Sequence, residues 1–284
     1  MNTAGTLYVV ATPIGNLEDI TIRAIRILKE VDLIAAEDTR HSRKLLHRYG
    51  ISTRMIAFHQ HNQTSQTNRV IELLARGKSI ALISDAGTPL ISDPGQALVE
   101  ASHAGGVSVV PVPGASALTC ALSAFGVSLD NLIFAGFLPA RQADRRARLN
   151  QLRAHRGTIV FYEAPHRILR SVEDMRMVFG ASCEACIARE MTKIHEAIRR
   201  DTLDGLVNWV TSMPSNQKGE FVIAIVSVGP PADDNEEKTD HMLNVLMGEM
   251  SASKSAQVAS RLRGVSRNAL YRRALELKDD SADR

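Results

Sequence analysis

The sequence predicts an α/β protein of two α/β domains followed by a small helical module, and three observations carry that reading. Short apolar runs alternate with helix-patterned stretches through the first 126 residues, and alternation with short connections is the mark of a parallel sheet wrapped by helices. A second set of strand and helix signals ends on Glu220-Phe221-Val222-Ile223-Ala224-Ile225-Val226, almost wholly apolar as in a central strand. An acidic, proline-bearing stretch then gives way to a basic tail of helical pattern. The expected domains are residues 1–118, 119–230 and 236–284. A chain of 284 residues holds about two domains of ordinary size, and 44% hydrophobic residues supply their cores.

In order, the first domain reads as strand 6–11, helix 20–30, strand 32–36, helix 39–49, strand 55–58, helix 64–76, strand 79–84, helix 95–105, strand 107–111 and helix 115–126. The second has strands near 132–135, 158–162, 183–189 and 220–228, with helices near 141–155, 165–178 and 203–212. GPPADDNEEKTD, residues 229–240, carries two prolines and five acids without a large apolar residue, the composition of a linker. In the tail, Val258, Leu262, Val265, Leu270 and Leu275 fit two helices joined at Gly264-Val265-Ser266, with Ser266 as N-cap of the second. That pattern suits a helix-turn-helix, and equally two packed amphipathic helices that touch no nucleic acid.

Bulk properties exclude several classes. No apolar run approaches the ~18 residues of a membrane span, and the amino terminus lacks a signal-peptide pattern. A cytoplasmic protein without membrane contact is expected, and the three cysteines suit a reducing compartment. The net charge of +3 is unevenly spread: residues 141–156 hold six Arg against one Asp, and 251–278 hold seven Lys or Arg against one Glu. Two such runs read either as patches facing a polyanion or as solvated helix faces.

Three times a strand-like run breaks into a Gly/Pro loop and enters a helix: TPIGNLED after Ala11, SDAGTPLISDPG after Ile83, and PVPGAS after Val110. Ligands of open α/β sheets sit beyond the carboxyl ends of the strands, so the three loops point to one composite pocket. None carries a phosphate-cradling signature, and neither Ser79–Val99 nor Val107–Gly126 contains a Lys or Arg. A polyphosphate would lack counter-charge there; a neutral or zwitterionic adenosyl compound would not need it.

Within the loops, Asp19 is placed to cap a helix, Gly87 and Gly95 allow close backbone approach, and Ser116 stands at a helix amino terminus where a carboxylate is welcome. Charged groups at strand ends in VFYEAPHR and AREMTK, namely Glu163, Arg167, Arg189, Glu190 and Lys193, read as substrate contacts or as a structural ion-pair network. Cys183-x-x-Cys186 lacks a second pair, and His59 and His61 lack an acidic or Cys partner nearby, so no metal is expected.

VATPIGNLEDITIRA, AAEDTR, SDAGTPLISDPG, PVPGASA, FAGFLP, FYEAPHR, AREMTK and KGEFV stand in the order and spacing of the small-subunit ribosomal RNA 2′-O-methyltransferase I family, of the tetrapyrrole methylase (class III methyltransferase) superfamily. The resemblance runs from Val10 to Val222, extends to the tail, and departs at Met191, where the family usually has Leu. It implies two α/β domains, S-adenosylmethionine as methyl donor, a homodimer, and as acceptor a cytidine ribose 2′-hydroxyl in the decoding region of 16S ribosomal RNA, met within the small subunit. By the same resemblance Pro13, Ser84, Asp85, Ala86, Gly87, Ser116, Ala117 and Tyr162 line the donor site. Glu190 and Lys193, with Asp19 behind them, are the candidates for a general base. Arg23, Arg40, Arg145, Arg146, Arg148, Arg261, Arg263 and Arg267 are the candidates for RNA contacts. Two other readings share parts of this pattern: methylation of a tetrapyrrole or other small molecule, and a non-catalytic RNA-binding factor.

Overall fold

The computed structural model describes residues 5–229, 232–263 and 266–282. The chain divides into two compact units, Met1–Leu152 with Gly157–Ser227, and Val228–Arg284 with Arg153–Arg156.

The first unit holds two sheets. β1 (Thr6–Val10), β2 (Leu33–Ala36), β3 (Met55–Ala57), β4 (Ile80–Ile83) and β5 (Ser108–Val112) pair in the order β3-β2-β4-β1-β5, every pair parallel. A parallel sheet is covered on both faces, and alternate residues of the strands show how. Ile34, Ala36, Ala81 and Ile83 pack under α1 (Ile22–Glu30) and α2 (Thr39–Arg48). Leu33, Ala35, Ile80 and Leu82 pack under α3 (Gln63–Ala75) and α4 (Gln96–Ala104). Thr21 caps α1 and Asp38 caps α2 through their side chains, which fixes where the chain leaves β1 and β2.

After α5 (Ala117–Phe125) the second sheet runs β6 (Ile133–Phe137), β7 (Arg156–Glu163), β8 (Glu184–Arg189), β9 (Ala197–Thr202) and β10 (Phe221–Val228), in the order β6-β7-β10-β8-β9. It is mixed: β6 and β7 are parallel, whereas β8 is antiparallel to both β10 and β9. β10 is internal, as its apolar run predicts. One face packs Phe161, Ile187, Ile223 and Ile225 against α6 (Gln142–Leu152), α7 (Ile168–Phe179) and α8 (Leu203–Ser212). The other packs Val160, Cys186, Ala188 and Val222 against Ala121, Leu122 and Phe125 of α5 and Ile14 of the first loop. The two α/β halves therefore share a core, and the carboxyl ends of the first sheet's strands face the second sheet.

Two expectations are corrected. β9, AIRRDT, escapes sequence reading because it is an edge strand whose middle residues are charged and exposed, a common protection of sheet edges. The expected linker at 229–240 is mostly helix: α9 begins at Ala232 and runs to Glu249. The acidic composition that suggested a linker belongs to residues of that helix. In the second unit, α9, α10 (Ala252–Arg263) and α11 (Arg267–Ala282) bury Leu243, Ala256, Ala259, Leu270 and Ala274 against one another. Of the expected joint, Gly264 and Val265 lie outside the described residues; Ser266 accepts the Leu270 N–H on its carbonyl as α11 begins.

Candidate active site

The three Gly/Pro loops are tied into one wall. Thr12 and Gly87 exchange backbone hydrogen bonds of 2.9 and 3.0 Å, and the Thr12 hydroxyl donates to the Ser84 carbonyl at 3.1 Å. The Thr88 hydroxyl donates to the Ala115 carbonyl at 3.1 Å, and Gly114 lies so close to Ala11 that a Cβ there would meet the Ala11 methyl at 2.9 Å. The second sheet closes the arrangement. Tyr162, on β7, accepts the Leu118 N–H at 3.1 Å and so satisfies one of the orphan donors at the start of α5. Ser116 makes no side-chain cap of its own.

Between these walls lies a cavity of about 380 Å³. Of the expected donor residues, Asp85, Ala86, Gly87, Ser116, Ala117 and Tyr162 line it. Pro13 and Ser84 do not; they border a second cavity of about 350 Å³, which shares Ile14, Asp85, Ala86 and Glu220 with the first. Among the described residues no Lys or Arg lines the first cavity, while Glu37, Asp85 and Asp93 do. Burial raises the Asp93 carboxyl to about 6, with the Glu37 and Asp85 charges adding to the rise and the Ser84 hydroxyl opposing it. Burial likewise raises Glu37, opposed by the Asp85 N–H that it accepts. An acidic, partly desolvated wall of this kind favours a cationic ligand.

The three base candidates fall in different places. Lys193 borders the second cavity. Its ammonium donates to Glu190 Oε1 at 2.8 Å and to Glu220 Oε2 at 3.0 Å. Burial alone would lower the lysine, but the two carboxylates outweigh it and raise it. Burial alone would raise Glu190, and the bonds from Lys193 and the Glu220 N–H lower it instead. Both members of the pair are held in their charged forms. Glu190 borders a third, shallower hollow beside Thr192 and His195. Asp19 lies in a single helical turn, Leu17–Asp19, exposed and outside all three cavities.

Strain concentrates on both walls: Leu90 and Ser92 in the second loop, and Glu190 and Thr192 opposite, hold positive φ without being glycine. Each such residue costs on the order of 1–3 kcal/mol and tends to cluster where geometry serves a ligand.

The basic candidates need one correction. Arg145 is buried, its guanidinium bonded to Asp174 at 2.7 Å and to the carbonyls of Pro139 and Ala140, so it holds α6 to α7 and meets no RNA. Arg146 shares Asp174 at 2.7 Å but stays partly open. Arg23, Arg40 and Arg148 are exposed. Arg261 on α10 and Arg267 at the start of α11 are exposed, with Arg263 half-buried, in the second unit. Cys186 is buried under α5 with its thiol pushed up to about 11 by burial, and the His59 and His61 rings stack edge to face at 6.0 Å. Asp93 stands in the SDAGTPLISDPG loop that the sequence singled out; sequence reading missed Glu37 and the basic row of α2 beyond Arg40. The signal for the last was visible in TRHSRKLLHR, with six basic residues in ten.

The tetrapyrrole (corrin/porphyrin) methylases match residues 6–207, and a ribosomal methyltransferase carboxyl-terminal helix-turn-helix domain matches residues 232–278. Ribosomal RNA small subunit methyltransferase I of Pseudomonas aeruginosa is 49% identical over 98% of this chain and 99% of its own. The protein of the same name from Escherichia coli O157:H7 is 44% identical over 97% and 96%. A solved uroporphyrin-III-C-methyltransferase from Thermus thermophilus shares the fold, with a TM-score of 0.55 at 21% identity over 79% of this chain and 95% of that one.

Proposed function

Because this chain belongs to the tetrapyrrole (corrin/porphyrin) methylase family, among the ribosomal RNA small subunit methyltransferases I, we propose that it transfers a methyl group from S-adenosylmethionine to a cytidine ribose 2′-hydroxyl in the decoding region of 16S ribosomal RNA. We infer that it works as a homodimer on the small ribosomal subunit in the cytoplasm. The observation that carries the reading is the first cavity, lined by Glu37, Asp85, Asp93, Glu163 and Glu220 and, among the described residues, by no Lys or Arg, which fits a donor bearing a sulfonium and an ammonium. That donor supplies an electrophilic methyl group.

The chain's residues do the rest. Gly87 and Ala86 offer backbone at the cavity wall, Ser116 and Tyr162 offer hydroxyls, and Met191, Phe221 and Val222 offer an apolar surface. Glu37, Asp85 and Asp93 hold the positive charge, and fixing two reactants in one geometry supplies several kcal/mol of the barrier. Asp85 and Glu220 border both cavities, so a carboxylate is at hand where the hydroxyl proton must go. The Glu190–Lys193 pair fixes Glu220 beside them; Lys193, kept protonated, serves as an electrostatic and positioning group. Asp19, outside the cavities, has no part in this reading. Arg146, Arg148, Arg23, Arg40 and the basic residues of α10 and α11 are left as contacts for RNA phosphates.

Calorimetry with S-adenosylmethionine on metal-free protein, followed by transfer of labelled methyl to unmodified small subunits, tests the reading. Binding and incorporation into RNA are expected. Folded protein that binds no donor at millimolar concentration would overturn it.

A further inference from the structure

The second cavity is a separate, differently charged space from the first. It is enclosed by the first loop, Thr12 to Gly15 and Leu17, by the side of α2, and by Lys193 from the opposite half. Its wall brings His41 and Lys44 to it, one turn apart on α2, and Arg48 follows one turn further along at the edge of the shallow hollow that continues past Leu17 and Lys193. These three residues are exposed, and Lys44 and Arg48 have no carboxylate within ion-pairing distance among the described residues. A surface lysine of this kind usually finds solvent alone. Here it borders a concavity of about 350 Å³.

Ser42 supplies a second, independent observation. It is 3% exposed, lines the same cavity, and its Oγ has no hydrogen-bond partner. A buried hydroxyl left unpaired is costly and rare. Thr192 Oγ1 is likewise unpaired, packed against Gly15 on the shallow hollow that adjoins this cavity. The two cavities differ in their lining across the shared wall of Ile14, Asp85, Ala86 and Glu220: carboxylates without a lysine or arginine among the described residues on the donor side, and Lys44 and Lys193 beside the shared carboxylates on this side.

We propose that this second cavity seats the acceptor nucleotide, with Lys44 against its phosphate, Ser42 at its floor, and the ribose turned toward the wall shared with the donor cavity. The inference rests on the methyl-transfer reading and adds where the nucleotide sits and what holds it. A nucleotide in a chain needs a cation for the phosphate, hydroxyl-bearing polar groups for the sugar, and an opening along which the chain continues. Lys44, Ser42 and the hollow lined by Arg48 meet those needs in order. Adjacency to the donor cavity then brings the hydroxyl to the methyl group without crossing solvent.

The test compares wild type, Lys44→Gln, Lys44→Arg and Ser42→Ala in two measurements: binding to unmodified small subunits over a salt series, and steady-state methylation with donor affinity measured in parallel. Lys44→Gln is expected to weaken subunit binding, to lower the log–log salt slope by roughly 0.7, and to raise KM for subunits at least several-fold with donor affinity unchanged; Lys44→Arg restores most of it. Ser42→Ala removes an unpaired hydroxyl, so its Tm is expected to hold or rise while kcat/KM for subunits falls. Wild-type salt slope and KM in both Lys44→Gln and Ser42→Ala would overturn the assignment. A changed slope together with no methylation by wild type would instead overturn the methyl-transfer reading and leave the cavity's role in RNA binding standing.

Discussion

Burial, reinforced by the charges of Glu37 and Asp85 and opposed by the Ser84 hydroxyl, brings the Asp93 carboxyl to about 6, so this group changes charge in the range between pH 5 and 7. The fold favours its protonated form, and the stability it contributes is complete below the ordinary carboxylate value of 3.8 and lost as pH rises through about 6. Donor binding runs the other way, because the ionised carboxylate attracts a cation. Affinity for S-adenosylmethionine is expected to rise from pH 5 to 7 in wild type and to stay flat in Asp93→Asn; equal pH profiles by calorimetry would discount Asp93. Arg145 gives a second prediction at this scale. Arg145→Ala leaves Asp174 buried with Arg146 and the Gln142 amide as its remaining partners, and is expected to destabilise by about 3 kcal/mol in denaturant titrations, the cost of breaking a buried pair. The salt slope of RNA binding should not change. The sequence marked the loop residues Asp85, Gly87, Asp93 and Ser116 and not Glu37, whose role comes from burial, and it grouped Arg145 with open arginines because composition carries no exposure.

At the scale of elements, Gly87 acts through its backbone more than through the space beside it. Its φ is +82°, and the nearest atoms to an added Cβ, on Ile14 at 3.4 Å, Ala115 at 3.7 Å and Ser116 at 4.0 Å, lie at ordinary contact distance. Gly87→Ala is therefore expected to cost about 1–3 kcal/mol through an unfavourable backbone conformation and to loosen the Thr12–Gly87 bridge, weakening donor binding and stability together. Calorimetry and thermal unfolding of the variant check both; an unchanged Tm would show that the bridge is dispensable. Gly219 holds φ +93° with Glu190 lying over it. The strands β2, β4 and β10 were legible because burial on both faces leaves nearly unbroken apolar runs, and β1 and the edge strand β5 because their short apolar runs lead into the Gly/Pro loops. β9 was not, since an exposed edge carries its charges where a sheet interior would not, and α9 was not, since its acidic start has the composition of a linker.

For the whole molecule, the residues lining the proposed donor and nucleotide cavities all belong to the first unit. Among the described residues no helix is long and apolar enough to cross a membrane. A chain ending at residue 229 is expected to keep its affinity for S-adenosylmethionine and to lose affinity for the small subunit, with a lower salt slope, if Arg261, Arg263 and Arg267 meet RNA. Wild-type subunit binding by that truncated chain would make the tail's basic residues a solvated face. The order of strands and the shared core of the two halves were not legible from sequence, because pairing between distant strands leaves no local pattern; the convergence of the three loops was, because each follows a parallel strand. The central claim is ribose methylation, and the most direct measurement is mass spectrometry of nucleosides digested from small-subunit RNA after incubation of unmodified subunits with the protein and S-adenosylmethionine. The account predicts 2′-O-methylcytidine that appears only with both present, and a methyl group found on a base, or on no nucleoside while the donor is bound, would contradict it.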